Sequence, residues 1–214
     1  MKSILKKLLI ILENLIDEFN YYLDIKGEFL YKQVIDVFKD RFKNKKFEYE
    51  EISSFIRYDK SLRNFLYPYL ALIEENLKAE LVRKIDLTND NKFYKIIELD
   101  RSKSKLYFYL IKQKIFLLEI IKIMKDFQLI DKIKFWNLKK INDMRNKIMH
   151  HNILLFGVCE TWKESSKNID QLKINIYLLH DFLPEEHKLG FINGINKLIK
   201  KQTNFSRINL GELK

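Results

Sequence analysis

Asp59 to Leu81 reads DKSLRNFLYPYLALIEENLKAEL, and this stretch decides the fold. Leu62, Phe65/Leu66, Tyr69, Ile73, Leu77 and Leu81 recur every three or four residues, the spacing that gathers side chains on one face of an α-helix. Asp59 is a good N-cap residue, so a long helix is expected to begin there. Pro68 removes one backbone hydrogen bond inside it and is expected to kink it.

The same period extends in both directions. Ile4, Leu8, Ile11/Leu12, Leu15/Ile16 and Phe19 predict a first helix, and a second is expected from about Gly27 to Phe38. Lys39–Lys46 carries five basic residues (Lys39, Arg41, Lys43, Lys45, Lys46) and reads as a solvated connection before it reads as a nucleic-acid contact. Downstream, Ser102–Lys105 leads into a helix from Leu106 to about Phe127. Another is expected from about Asp131 to His151, with Ile133, Leu138, Ile141, Met144 and Ile148 inward. Phe156–Asn168 reads as polar and irregular, and Lys173–Leu179 as helix rather than strand. Pro184 is expected at the first position of a last helix, with Glu185 and Glu186 at its positive end.

Composition agrees with an all-α class. Of 214 residues 47% are hydrophobic and 32% charged, enough to bury a core. Only 5 Gly and 2 Pro are present, which argues against hairpin-rich β folds and against a Gly-rich phosphate loop. The single cysteine, Cys159, excludes a disulfide framework and a thiolate zinc cage and fits a reducing cytosol. Glu13 stops the apolar run from Leu8 to Leu12, so no signal peptide is expected. Ile115–Met124 contains Glu119 and Lys122 and is too short to span a bilayer. The expected location is cytoplasmic, without a membrane partner. No repeat or linker divides the chain, so residues 1–214 read as one domain, with a helical extension over 1–50 and a helical part over 153–214.

The formal net charge of +11 suggests a polyanionic partner, although the Lys-, Ile-, Asn- and Tyr-rich usage resembles the codon bias of an AT-rich genome, and such bias alone could supply part of it. The chemistry-bearing stretch is Asn142-Asp143-Met144-Arg145-Asn146-Lys147-Ile148-Met149-His150-His151-Asn152. Asn146 and His150 are four apart and stack on one helix face, with Arg145 at the border of the apolar stripe. Arginine offers a planar fork for phosphate that lysine cannot copy, and the chain has only seven arginines. An Arg–His pair at this spacing decides nothing alone. The same residues also suit a helix C-terminus, with His facing the negative end and Asn152 ending the helix. His150 and His151 make a poor metal pair, since adjacent helical residues diverge by about 100° and no nearby acid completes a set. His180 and His187 read as structural or surface residues. A second constellation is Asp59, Arg63 and Glu74: either an intrahelical ion-pair ladder, or a polar network that supports a site on a neighbouring helix.

At these two stretches the chain resembles the Abi-like (abortive infection) proteins of bacteria, a branch of the HEPN superfamily. The family's fore-part pattern YDxxLRxxLxxxxxxIExxLR is matched by Tyr58-Asp59-Lys60-Ser61-Leu62-Arg63-Asn64-Phe65-Leu66 and by Ile73-Glu74-Glu75-Asn76-Leu77-Lys78. The rear pattern LRNxxAHHN is matched by Met144 to Asn152. Lys78 stands where the family has Arg, Met149 where it has a small residue, and its N-terminal Tyr/Trp-rich segment is not recognisable. The resemblance covers residues 59–152 as a family-like core. It implies a HEPN-type helical bundle with additional flanking helices, and an endoribonuclease that uses no metal or other cofactor. Such effectors act in phage defence or toxin–antitoxin pairs. Carried over, His150 is the general acid/base, Arg145 stabilises the pentavalent phosphorane and Asn146 orients either one. His151, Asn152, Asp59, Arg63 and Glu74 support them, and Lys139, Lys140 and Lys147 contact RNA. The implied partners are RNA as substrate and as a regulatory small RNA, an antitoxin, and a second copy of the chain in a homodimer. Two other readings stand beside this one: a non-catalytic RNA-binding helical module held by a small RNA or partner protein, and an interaction domain whose charge is codon usage alone.

Overall fold

The computed structural model describes residues 5, 7–43, 46–84, 116–150, 152–157, 161–202 and 210. Seven α-helices are present among them: α1 (Ile16–Lys26), α2 (Glu28–Phe42), α3 (Tyr49–Lys84), α4 (Leu117–Asp126), α5 (Lys132–Met149), α6 (Trp162–Phe182) and α7 (Glu185–Gln202). The only described strands are β1 (Leu9–Ile10) and β2 (Phe47–Glu48), paired in parallel with Leu9 opposite Phe47. The fold is all-α.

α3 is the spine, 36 residues long and unbroken as a helix through Pro68. It starts ten residues before Asp59, which is therefore a buried interior residue and not the N-cap. Tyr49, Ile52, Phe55 and Ile56 extend the apolar face upstream, and the Asp59 carboxylate is engaged elsewhere. Its first half packs on an aromatic cluster in which Phe55 stacks on Phe156 with ring centroids 4.5 Å apart and Phe38 meets Phe55 edge-on. Such pairs add about 0.5–1.5 kcal/mol each beyond the area they bury. Near the middle of α3, α7 crosses so closely that a Cβ on Gly194 would overlap the Phe65 ring, which is itself packed against Tyr69 and Phe191.

Several elements differ from the sequence expectation, each for a local reason. The first helix is interrupted: Leu9 and Ile10 are extended, because β2 offers them backbone partners, and α1 begins only at Ile16. α2 continues to Phe42, so the basic connection shrinks to the residues after it. Phe38 and Phe42 carry the apolar stripe on, and the Arg41 guanidinium lies 3.8 Å from the Trp162 ring centroid. Helix α6 begins at Trp162, inside the stretch expected to be irregular. Its N-cap Thr161 accepts from the Glu164 amide, and Asp40 of α2 accepts from the Trp162 amide. Pro184 immediately precedes α7, where its carbonyl accepts from the His187 amide. On α5, Ile133 is exposed and Phe135 takes the inward place. The expected helix Leu106–Phe127 is described only from Leu117 onward, and Cys159 lies outside the described residues.

Candidate functional site

α5 is antiparallel to the second half of α3, and two cross-links fix that register. Glu80 of α3 meets Lys134 at 3.5 Å near the start of α5, and Glu74 meets Arg145 at 3.6 Å near its end. Partial burial works against the Glu80 carboxylate, but Lys84 and Lys134 outweigh it and hold its pKa below the usual range. Asp131 caps α5 by accepting from the Lys134 amide, and the apolar stripe of Phe135, Leu138, Ile141, Met144 and Ile148 turns inward.

That stripe leaves Arg145 half-buried at its edge. The guanidinium has the Glu74 carboxylate on one side, the Asn146 Oδ1 at 3.5 Å and the Phe116 ring centroid 5.7 Å away. Glu74 also binds Lys78 at 2.9 Å, so its charge is shared between two cations. His150 is the C-cap of α5. Its amide donates to the Asn146 carbonyl at 3.0 Å, and its side chain is exposed. The Asn152 amide reaches back to the Lys147 carbonyl at 3.1 Å and wraps the helix end. Arg145, Asn146 and His150 thus occupy one helix end. Arg145 and Asn146 touch, while no described residue hydrogen-bonds the His150 imidazole. His151 lies outside the described residues. Lys140 is exposed, and Lys139 and Lys147 are half-buried.

Asp59 and Arg63 act on the segment that follows this helix end. The Asp59 carboxylate is 2% exposed. Its Oδ1 accepts from the amides of Leu154 at 2.7 Å and Leu155 at 3.0 Å, and its Oδ2 accepts from Arg63 Nε at 2.9 Å. Burial pushes its pKa up, opposed by these three donors. Glu74, on the same helix, serves Arg145 instead. The three α3 residues therefore support the motif at two points: Glu74 at the guanidinium, and the Asp59–Arg63 pair at the turn behind it.

Two further clamps on that turn escaped the sequence reading. Gln33 of α2 donates to the Gly157 carbonyl at 2.6 Å, and Asn168 of α6 donates to the Phe156 carbonyl at 2.9 Å. Gly157 has φ +65°, a conformation that suits glycine. The segment 153–157 is thereby held from three helices. No sequence signal marks Gln33 or Asn168, since amides on helices are routine. The T-x-x-E pattern at Thr161–Glu164 is a helix-start signal that the reading of Phe156–Asn168 as irregular passed over, and it marks where α6 begins.

The remaining histidines sit apart from this arrangement. His180 is half-buried, with Nδ1 3.5 Å from Asp181 and its ring near Phe191, and His187 is exposed in the first turn of α7. Among the described residues no three His, Cys, Asp or Glu side chains gather as a metal site requires, and no helix is long and apolar enough to cross a membrane. No protein-family model, no curated protein and no solved structure matches the chain.

Proposed function

We propose that the chain is an endoribonuclease of the HEPN type, an RNA-cleaving effector of phage defence or of a toxin–antitoxin pair that works without metal. The observation that carries the reading is the braced Arg145. An arginine half-buried between Glu74 and Asn146 keeps a fixed position, next to an exposed histidine at the same helix end. RNA brings its own nucleophile, so the protein need supply only proton transfer and charge stabilisation. His150 takes the proton of the 2′-OH as that oxygen bonds to phosphorus. Arg145 stabilises the charge on the phosphorane. The P–O5′ bond then breaks, and its oxygen takes a proton from a second acid. One motif holds one His150, so that acid is His150 of a second copy, in a homodimer whose two helix ends face each other. The products are a 2′,3′-cyclic phosphate and a 5′-hydroxyl.

Product analysis after incubation in EDTA tests this. Cleavage that persists in EDTA and leaves cyclic phosphate ends is expected. Strict Mg²⁺ dependence with 5′-phosphate ends would reject the mechanism. The Glu74–Arg145 ion pair also favours the second reading, an RNA-binding module without catalysis, because a guanidinium already paired has less pull on a phosphate. RNA that binds with a steep salt dependence but is never cut would establish that alternative.

The support from α3 makes its own prediction. Glu74→Ala leaves Arg145 and Lys78 without their shared carboxylate in a setting where all three side chains are at most one-fifth exposed. A loss of about 1–2 kcal/mol is expected, a fall in melting temperature of roughly 2–8 °C, together with a drop in cleavage of about tenfold as Arg145 loses its bearing. Unchanged melting and unchanged cleavage would reduce Glu74 to one rung of a surface ladder.

A further inference from the structure

The surface of α5 that faces away from the core has its own order. Positions 132, 136, 140, 143, 147 and 150 advance by three or four residues and form one strip along the helix. They are Lys132, Trp136, Lys140, Asp143, Lys147 and His150, all exposed except the half-buried Lys147. Three cations against one carboxylate give the strip a positive balance, and it ends at the His150 of the candidate site. The tryptophan is unusual there, for it is 48% exposed. It is also braced: the buried Phe135 meets its ring edge-on, centroids 5.3 Å apart at 74°, and the Lys139 ammonium lies 4.9 Å from its centroid. A half-exposed ring with Phe135 at its edge, one lysine over it and further lysines along the same strip combines the two elements by which proteins hold single strands: a stacking surface and a track for phosphates.

Building on the ribonuclease reading, we infer that Trp136 is a base-stacking platform for single-stranded RNA laid along α5. Lys132, Lys140 and Lys147 neutralise the backbone, and the strand runs toward Arg145 and His150. Trp136 and His150 are fourteen positions apart, about 21 Å along the helix axis, room for a few nucleotides of extended strand between the stacked base and the scissile phosphate. Charge selects this occupant over a second copy of the chain. Laid on its own counterpart, the strip would oppose lysines to lysines with only Asp143 to offset them, whereas a polyanion between two such strips is attracted by both. The platform is sequence-tolerant, since every base offers a π-face, so it grips the strand and sets where cleavage falls without reading a sequence.

The chain has two tryptophans, Trp136 and Trp162, and Trp162→Phe leaves Trp136 as the sole indole reporter. The probe is a short oligoribonucleotide with 2′-O-methyl groups, which binds but cannot be cut. Its addition to the full-length Trp162→Phe protein is expected to quench the indole fluorescence. In the wild-type background Trp136→Ala is expected to weaken binding about tenfold with the salt dependence unchanged, while Trp136→Phe retains most of the affinity. Lys140→Ala is expected to do the reverse and lower the salt slope by about one. An oligonucleotide with abasic sites should bind wild type and Trp136→Ala equally. Salt-dependent binding with no quench and no loss in Trp136→Ala overturns the platform and leaves the ribonuclease reading standing. Absence of RNA binding by wild type at low salt overturns both. An oligomer that dissociates in Trp136→Ala with RNA affinity unchanged overturns the platform and assigns the face to contact between copies.

Discussion

Asp59→Ala is expected to lower the stability of the chain by about 3–5 kcal/mol, the largest effect of any single substitution considered for this fold. The side chain is short and buried, yet three donors depend on it. Without it, the amides of Leu154 and Leu155 lose their acceptor in a buried turn, and Arg63, 14% exposed, loses its anionic partner. A domain of ordinary stability holds about 5–15 kcal/mol in total, so the loss takes a large part of the margin. Asp59→Asn separates the contributions. Its retained Oδ1 can still accept from both amides, but its amide group turns a donor toward the guanidinium. The expected order of stability is therefore wild type, then Asn, then Ala, as read by chemical denaturation. Amide exchange at Leu154 and Leu155 should accelerate in Ala and much less in Asn. Equal midpoints for all three proteins would refute the assignment. The pH dependence has a defined sign. Burial raises the Asp59 pKa in the folded chain, so the folded state binds this proton more tightly than the unfolded state does. This carboxyl's contribution to stability therefore declines as pH rises from the ordinary carboxylate range to the raised native value, and Asp59→Asn removes that slope.

The helical class was legible because it is written redundantly. Leu62, Leu66, Ile73, Leu77 and Leu81 alone define the inner face of α3, and all five are buried. The ends of elements were less legible, because tertiary partners decide them. Asp59 has the chemistry of an N-cap, and only the turn at 153–157, nearly a hundred positions away, shows that its oxygens are committed to other amides. Leu8–Leu12 has helical spacing, yet Leu9 and Ile10 are drawn out by a strand that the sequence does not announce. In the candidate site, the contact between α3 and the motif was anticipated as a general arrangement, but its division was not. Helical spacing relates Arg63 to Glu74 on one face. It cannot tell that Asp59 and Arg63 serve the turn while Glu74 reaches Arg145. Gln33 and Asn168 were invisible for a different reason: their role comes from which carbonyls lie opposite, and those belong to a turn brought between α2 and α6 by folding.

His150→Ala and Arg145→Ala are each expected to reduce RNA cleavage by two orders of magnitude or more: about 10²–10⁴ for loss of a general acid/base, and about 10²–10³ for loss of a donor to developing charge. The folded state should barely register His150→Ala, because the side chain is exposed and the cap it provides is made by its backbone amide. Arg145→Ala removes one of two cations from Glu74 and leaves Lys78 at 2.9 Å, so a small loss of stability is expected there. Arg145→Lys keeps the charge and loses the fork, and should remain well below wild type. Growth inhibition on expression and cleavage of labelled RNA are the readouts, with circular dichroism and melting as controls. Full activity in His150→Ala would remove the histidine from the mechanism. Mixing with wild type tests the shared site. A dimer of one wild-type and one His150→Ala chain keeps both arginines and only one of the two histidines. If the base and the acid are the His150 side chains of the two copies, that mixed dimer lacks one proton-transfer group, and excess His150→Ala protein, allowed to exchange subunits, lowers cleavage well below that of the wild-type protein present. If each chain carries a self-sufficient site, the wild-type half of every mixed dimer still cuts, and cleavage follows the amount of wild-type protein.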